Sequence, residues 1–214
     1  LIKGKHSYRT LVIDSVTQLE TMFGDFVVDS DTKNPKSLAQ ANGGYGAGFL
    51  AVASMHHRLR KAAQMLKEKR GMNVVFIAHS DVSTLELPDQ DPYSRYELRL
   101  NKKSMSPYVD NVDMVAFLRL ETFTSGDGVR KKAVSDGTRL ITCVAGAAQV
   151  SKNRYGIEDD LYFERGTNPF LGFIPSISRK KRSPNKPKAD KEANNDADQP
   201  ERGEDNAGED NAGE

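Results

Sequence analysis

The sequence has little cysteine, no tryptophan and no long apolar run. Cys143 is the one cysteine among 214 residues, so the chain can form neither an internal disulfide nor a cage of several thiolates around a metal ion. No apolar stretch approaches the roughly 20 residues that a membrane-spanning helix needs, and no signal-peptide pattern opens the chain. We therefore expect no membrane contact, no export and a reducing, cytoplasmic location.

The chain is also poor in hydrophobic residues, at 37%, which is low for a wholly globular protein. The polar excess lies at the C-terminal end. Residues 179–188 carry six basic side chains and no acid, and residues 189–214 carry ten acids against two bases. Such a segment cannot bury enough apolar surface to offset the entropy lost on ordering. We predict a folded domain over residues 1–177 and a disordered tail over residues 178–214.

Two roles are open for this tail besides that of a solvated linker. Its basic run is of the kind that binds nucleic acid. Its acidic end could dock a partner protein or compete with nucleic acid for a basic surface of the domain.

The most informative stretch is YRTLVIDSVTQLE, residues 8–20. Its apolar run 11–13 suits a short strand that is buried on both faces, and the run ends at Asp14. Ser15 and Gln18 then fit a capping box at the start of a helix. Because ligands of α/β proteins bind at the carboxyl ends of parallel strands, Asp14 is a candidate metal ligand. The alternative is that Asp14 only caps the helix.

A second apolar strand, residues 73–78, ends in polar side chains, namely His79, Ser80 and Asp81. Two parallel strands that finish in polar residues predict one shared crevice, with His79 beside Asp14. The alternative for His79 is an imidazole that is satisfied within the core.

Helical spacing of apolar residues predicts helices over residues 16–28 and 49–70, the second ended by Gly71. Its adjacent His56 and His57 point to different sides, so we interpret both as surface residues rather than metal ligands. The intervening residues 29–48 are rich in glycine and polar residues, which indicates a mobile loop. A GxGxxA spelling within them follows no strand, so we reject a dinucleotide site there.

The second half is predicted from shorter signals. Pro88 and Pro92 break a polar stretch over residues 81–91, and alternation predicts a half-exposed strand over 96–100. We expect a short helix over 102–111, a strand over 112–120 and a hairpin with arms 138–144 and 148–151. A basic turn around Lys152 and Arg154 precedes a last apolar stretch, residues 161–177.

Four segments, taken together, resemble RecA-type ATPases, and more closely phage-encoded ATP-binding proteins with a RecA-like core. LVIDSVTQLE resembles their Walker B strand, and KRGMNVVFIAHSDV resembles the sensor strand. PYSRYELRLNKKS resembles the segment that follows the sensor. SKNRYG, residues 151–156, is similar to the basic turn of RadA/Sms proteins and DnaB-type helicases. The resemblance spans residues 8–156 and implies a three-layer α/β P-loop NTPase core with a mainly parallel sheet.

The resemblance also implies roles for individual residues. It assigns ATP and Mg²⁺ as cofactors, with Asp14 and Ser15 at the nucleotide and Asp14 holding Mg²⁺ largely through water. His79 takes the position of a sensor at the γ-phosphate. Lys152 and Arg154 match cations that reach the neighbouring subunit's nucleotide, which implies a homo-oligomeric ring or filament. The alternative for both cations is a solvated turn.

Single-stranded DNA is the partner that the resemblance implies, in recombination or annealing within a bacterial host cell. Mobile loops after the Walker B and sensor strands contact DNA in such proteins. The corresponding segments are 31–48 and 81–95, with possible phosphate and stacking groups at Lys33, Lys36, Tyr45, Tyr93 and Arg95. We further expect that the tail could bind a single-strand-binding or recombination partner.

The chain departs from the family pattern in one respect, because it contains no GxxxxGK[ST] phosphate loop. In related proteins this loop and the catalytic glutamate precede the Walker B strand. We therefore expect an N-terminally truncated piece of an ATPase that is inactive alone, with the missing strand lying between strands 73–78 and 112–120. The alternatives are a non-hydrolysing DNA-binding or scaffold protein of the same fold, and a helicase-like replication accessory.

Overall fold

The computed structural model describes residues 1–125 and 132–178. The predicted tail therefore lies outside the described residues, apart from its first position. Within the described ranges, no helix is both long and apolar enough to cross a bilayer.

The first part of the chain forms a β-α-α-β unit. Its elements are β1 (Thr10–Asp14), α1 (Val16–Asp29), a 3₁₀ turn (Ala41–Gly43), α2 (Ala47–Arg70) and β2 (Asn73–Ile77). The two strands pair in parallel, with Thr10 opposite Asn73 and Asp14 opposite Ile77. The two helices between them make the long crossover that a parallel pair requires. The predicted parallel pair is confirmed.

The predicted caps at Ser15 and Gly71 are confirmed, but within the described residues the Gln18 side chain makes no hydrogen bond back to the Ser15 N–H that would complete a capping box. The Ser15 hydroxyl caps α1 by accepting a hydrogen bond of 3.2 Å from the backbone N–H of Gln18. Gly71 ends α2 in the left-handed conformation, with φ of 62°. Its N–H bonds to the carbonyl of Lys67.

The prediction that His56 lies on the surface is wrong, whereas His57 is exposed as expected. His56 falls on the buried stripe of α2, in line with Val52 and Ala63, and has 0% relative exposure. Its Nδ1 lies 2.7 Å from the Tyr108 hydroxyl. A polar ring is tolerated in this position because a buried partner satisfies one of its nitrogens.

The segment after β2 is a β-hairpin rather than the irregular polar stretch that its two prolines indicated. The arms are β3 (Ser80–Leu87) and β4 (Gln90–Leu98), joined by a turn at Pro88 and Asp89. The register shifts between Leu85 and Leu87, where the pairing is bulged. Pro92 lies opposite this irregularity, where no ladder hydrogen bond is required of it. The predicted helix follows as α3 (Lys102–Val109).

The remaining strands are short and antiparallel. They are β5 (Met114–Val115), β6 (Phe117–Leu120), β7 (Phe123–Ser125), β8 (Lys132–Val134), β9 (Arg139–Thr142), β10 (Lys152–Asn153) and β11 (Leu161–Tyr162), before a final turn of helix α4 (Pro175–Ser178). β9 lies between β6 and β11, β5 pairs with β10, and β7 pairs with β8. Ile141, Cys143 and Ile157 form the core of this part.

The predicted hairpin over 138–144 and 148–151 is wrong. β9 already has β6 and β11 on its two edges, so no edge remains for the following segment. That segment instead bonds to β4: the Tyr96 N–H donates to the Ala148 carbonyl at 2.8 Å, and the Val150 N–H donates to the Tyr96 carbonyl at 2.9 Å.

The prediction of a mainly parallel sheet is also wrong for the described residues. β1 and β2 form the one parallel strand pair there, and the other ladders are antiparallel. β3 and β4 are joined by a turn of two residues, which permits only antiparallel pairing. β2 pairs with β1 alone in these ranges, and the predicted strand 112–120 divides into β5 and β6, which pair elsewhere.

Candidate functional site at the rim of the parallel pair

The structure brings Asp14 and His79 to the same rim of the β1–β2 pair. Asp14 is the last residue of β1 and lies opposite Ile77, two residues before His79. Its side chain is exposed, and its carboxylate has no hydrogen-bond or ion-pair partner within residues 1–125 and 132–178. Ser15, by contrast, is 8% exposed and already caps α1. The Asp14 carboxylate is thus free at this rim, whereas the Ser15 hydroxyl is engaged in the helix cap.

Two hydrogen bonds fix His79 in place. Its backbone N–H donates to the Thr17 hydroxyl at 3.0 Å, which ties the end of β2 to the first turn of α1. Its ring Nδ1 lies 2.5 Å from Nη2 of Arg99. A guanidinium can only donate, so Nδ1 accepts in this contact, which requires the tautomer with its proton on Nε2. His79 therefore presents an N–H donor at Nε2.

Arg99 is a residue of this rim that sequence reasoning missed. It follows β4, and its backbone N–H also bonds to the His79 carbonyl at 2.8 Å. In the sequence it is one of several alternating charged residues, so no local pattern distinguishes it. Only the return of the β3–β4 hairpin to its starting point places a permanent cation beside His79.

The rim residues fit Mg²⁺ and a phosphate ligand in part. A carboxylate oxygen suits Mg²⁺, which binds few protein groups and keeps waters and phosphate oxygens in its shell. Within the described residues no group of three or more His, Cys, Asp or Glu side chains could form a cage for a metal ion. Asp14 could thus hold the ion as a single protein ligand, while His79 and Arg99 supply donors suited to a phosphate.

One groove lies away from this chemistry. It has a volume of about 740 Å³ and is bounded by α1, residues 36–38 and α2. A smaller groove of about 190 Å³ is lined by Arg99 and by parts of β3 and β4. Glu20 borders both grooves, and its carboxylate accepts the backbone N–H of Asn101 at 3.0 and 3.1 Å. We place the candidate site at the rim because Asp14, His79 and Arg99 meet there at the carboxyl ends of the parallel strands, where ligands of α/β proteins bind.

Lys152 and Arg154 are engaged within the chain. The Lys152 ammonium donates to the Asp110 carbonyl at 2.8 Å. Arg154 forms an ion pair of 3.3 Å with Asp113, whose carboxylate also binds Lys67 at 2.6 Å. These two cations, above all Lys67, hold the pKa of Asp113 below its usual range. A role in a neighbouring subunit's nucleotide site stays a prediction, and it would require both side chains to leave these partners.

Asn153, between these two cations, organises the basic turn. Its side-chain amide donates to the carbonyls of Cys143 and Ile157, both at 2.9 Å. Its side-chain carbonyl accepts the backbone N–H groups of Tyr155 and Ile157, at 3.1 and 3.0 Å. The signal in the sequence was an Asn three residues before Gly156, which adopts a left-handed φ of 69°.

The first predicted DNA-binding segment, 31–48, is tied to the domain. The Asp31 carboxylate accepts the N–H groups of Lys33 and Asn42, at 2.9 and 2.6 Å, and these bonds lower its pKa. Ala41 is fully buried against α1 and α2. Lys33 and Lys36 are exposed, and Tyr45 projects into solvent. The predicted contact groups are accessible, but they stand on an anchored loop.

The second segment, 81–95, lies in the acidic β3–β4 hairpin. Residues 80–98 contain five acidic side chains and one basic one, Arg95. Arg95 is half-buried and faces Glu97 at 3.5 Å, and Tyr93 is half-buried as well. A DNA backbone would meet net negative charge here, so the geometry gives little support to phosphate contacts at this hairpin.

A comparison with known protein families shows which family the chain belongs to. The profile of a family described as an AAA domain matches residues 1–155. The chain belongs to this family. Membership indicates a nucleotide-binding function of the P-loop ATPase type, and AAA domains generally bind ATP with Mg²⁺. The matched range contains both Asp14 and His79, and it ends within the basic turn around Lys152 and Arg154. Neither a curated protein nor a solved structure matches the chain.

Proposed function

We propose that this AAA-domain chain is part of a phage-encoded, RecA-like ATPase that acts on single-stranded DNA in recombination or annealing. The observation that carries the proposal is the meeting of Asp14 and His79 at one rim of a parallel strand pair. A carboxylate and an imidazole N–H donor there match the needs of a metal ion and of a terminal phosphate, respectively.

Each rim residue has a defined part in this proposal. Asp14 would hold Mg²⁺ largely through water, and bound ATP would supply the phosphoanhydride whose hydrolysis drives the work on DNA. His79 would donate from Nε2 to a phosphate oxygen. Arg99 holds the His79 ring in the tautomer that makes this donation possible. Thr17 fixes the backbone of His79 relative to α1.

A phosphate loop outside these 214 residues would complete the site, since the sequence contains none. Two features of the described residues support such a completion. β2 pairs with β1 alone, which leaves its other edge open to a further strand. One face of the pair is also uncovered, because Val12, Val75 and Ile77 are 52, 44 and 38% exposed. Parallel sheets are normally covered on both faces.

The test compares two forms of the protein. The 214-residue chain alone should show no strong ATP turnover. The protein from the complete reading frame should hydrolyse ATP with Mg²⁺, faster with single-stranded DNA, and Asp14→Asn should reduce the rate by about 100-fold or more, as expected for loss of a metal-positioning group. Asp25→Asn, an exposed carboxylate on α1, is the matched control. Equal turnover by Asp14→Asn and wild type would overturn the proposal.

A non-hydrolysing DNA-binding or scaffold protein of the same fold is the second candidate. It is favoured by the absence of GxxxxGK[ST] from these 214 residues and by the contacts of Lys152 and Arg154 within the chain, with the Asp110 carbonyl and the Asp113 carboxylate respectively. This candidate predicts DNA binding by the complete protein without nucleotide turnover. Light scattering with and without ATP tests the proposed ring or filament, because only the ATPase should assemble in response to nucleotide.

A further inference from the structure

The outward face of α2 carries cations that have no partner. Arg58, Lys61 and Lys69 recur along the side of the helix opposite buried His56 and Ala63. All three side chains are exposed, and none forms a hydrogen bond or ion pair with residues 1–125 or 132–178. Arg58 and Lys69 are separated by eleven residues, or about 16 Å of helix. These three residues form a stripe of cations without ion-pair partners among the described residues.

One acid interrupts the stripe. The Glu68 carboxylate accepts a hydrogen bond of 2.6 Å from the side-chain amide of Gln64, so it is engaged along the helix. The paired cation of α2 is Lys67, which faces another direction and binds Asp113 at 2.6 Å. The fold therefore pairs a lysine where an acid is near and leaves the outward cations unpaired.

The helix dipole accounts for only part of this pattern. Cations in the last turn of a helix, such as Lys69, interact favourably with its C-terminal carbonyls, but the effect is confined to that turn. Arg58 and Lys61 lie in the middle of the 24-residue helix. The helix dipole therefore does not account for their positions.

Further basic residues and an aromatic ring lie near the C-terminal end of α2, on the segment that begins the chain. The Arg70 guanidinium donates to the Gly4 carbonyl at 2.6 Å, which holds exposed Lys3 and Lys5 beside the end of α2. Tyr8 follows and is 68% exposed, with its ring stacked on His6 at 5.6 Å. Proteins that bind single strands combine a positive track for phosphates with exposed aromatic rings for bases.

We infer that Arg58, Lys61, Lys69, Lys3, Lys5 and Tyr8, here termed the α2 basic face, bind single-stranded nucleic acid, the cations at its phosphates and Tyr8 at a base. The inference rests on the proposed function, since it names the surface on which the DNA partner binds. Charge complementarity favours this face over the two segments indicated by the sequence. The β3–β4 hairpin is acidic, and segment 31–48 offers only Lys33 and Lys36.

The test measures binding of a fluorescently labelled oligothymidine to the 214-residue chain by anisotropy, between about 50 and 200 mM salt. The triple variant Arg58→Gln, Lys61→Gln, Lys69→Gln keeps good helix formers and removes three charges. We expect it to weaken binding about tenfold or more and to lower the slope of log K against log salt by about 2, at roughly 0.7 per lost phosphate contact. Arg165→Gln, an exposed cation outside this face, should bind as wild type does.

Two further variants test the sign of the charge effect and the role of the ring. Glu68→Gln keeps an acceptor for Gln64 and removes the one acid, so it should tighten binding about two- to threefold if the stripe contacts phosphate. Tyr8→Ala should weaken binding to the single strand more than binding to a duplex, whose bases are not available for stacking. Urea midpoints equal to that of wild type show that the variants fold.

The outcomes separate the inference from the proposed function. If the triple variant binds as the wild type does, and the double variant Lys33→Gln, Lys36→Gln does not bind, the inference about the α2 basic face is overturned. The proposal of a DNA-binding ATPase is unaffected by that result. A wild-type chain that does not bind at the lowest salt overturns the DNA partner and, with it, this inference. Equal losses on single strand and duplex in Tyr8→Ala overturn the stacking role of Tyr8.

Discussion

Nδ1 of His56 lies 2.7 Å from the hydroxyl of Tyr108, in a buried contact between α2 and α3. Burial lowers the pKa of His56 and raises that of Tyr108, so both groups are neutral near pH 7. Phe23 packs edge-on against His56, and Phe76 packs edge-on against Tyr108. This pair therefore joins α1, α2, α3 and β2 through a small number of rings.

The first prediction concerns pH. Because the pKa of His56 is lower in the folded chain than its ordinary value of 6.5, the unfolded chain binds the proton first. The contribution to stability is complete above about pH 6.5 and is lost as the pH falls. Urea midpoints between pH 8 and 5 should decrease accordingly. The decrease should persist in His57→Gln, its exposed neighbour, and diminish in His56→Gln. An unchanged decrease in His56→Gln would refute this assignment.

The second prediction removes the hydroxyl alone. Tyr108→Phe keeps the ring packing but leaves both nitrogens of His56 without a partner among the described residues, since Nε2 already has none. An unpaired buried polar group costs about 1–3 kcal/mol, so we expect the free energy of unfolding to fall by that amount. Tyr96→Phe is the control, because the Tyr96 ring is 44% exposed and stacks on Phe117. Equal stability of the two variants would contradict the role of the hydroxyl.

The elements that were predictable from the sequence are those encoded by local physics. Two apolar runs gave the parallel strands β1 and β2, and regular apolar spacing gave α2. Ser15 and Gly71 marked helix ends because capping and left-handed backbone depend on residue type. The proximity of Asp14 and His79 was predicted because the carboxyl ends of neighbouring parallel strands lie at the same edge of a sheet. The identities of the two residues did not enter that prediction.

The features that were not predictable depend on neighbours distant in the chain. From the sequence alone, Pro92 predicts the end of a strand, because its place opposite a bulged pairing is not visible there. A histidine such as His56 is expected at the surface. Its burial depends on a hydrogen bond with the hydroxyl of Tyr108, which lies 52 positions later in the chain. Arg99 reaches His79 only because the hairpin returns to its start. In each case a tertiary partner overrides the preference of the residue type.

The third prediction concerns the basic turn. Asn153→Ala removes four hydrogen bonds and leaves the carbonyls of Cys143 and Ile157 without this partner. At about 1 kcal/mol for each hydrogen bond, and allowing for water replacing some of them, we expect a loss of about 2–3 kcal/mol in unfolding free energy. Asn168→Ala, which removes one exposed bond to the Phe170 N–H, should change it by less than about 0.5 kcal/mol. Similar effects of the two variants would show that Asn153 does not hold the turn.

The fourth prediction concerns the tautomer of His79. Nitrogen NMR of the ring at alkaline pH should show the proton on Nε2 in the wild type, because Arg99 donates to Nδ1. In Arg99→Ala the constraint is lost, so the spectrum should move toward a mixture of both tautomers. Arg119→Ala, whose partner is Asp160, should leave the spectrum unchanged. A wild-type ring protonated on Nδ1 would rule out the contact and weaken the role of His79 as a donor.

The last prediction contrasts two helical glycines that face the same residue. A Cβ added at Gly48 would lie 2.2 Å from the backbone carbonyl oxygen of Leu38, whereas one added at Gly24 would meet only the Leu38 side chain, at an ordinary 3.7 Å. Gly48→Ala must displace backbone, so we expect a loss of about 2 kcal/mol or more in unfolding free energy. Gly24→Ala lies in the interior of α1 and should gain about 0.5–1 kcal/mol from helix propensity. Opposite signs in urea denaturation are therefore expected. A stabilising Gly48→Ala would mean that segment 31–48 does not pack on α2 as described, and that its lysines stand on a movable loop after all.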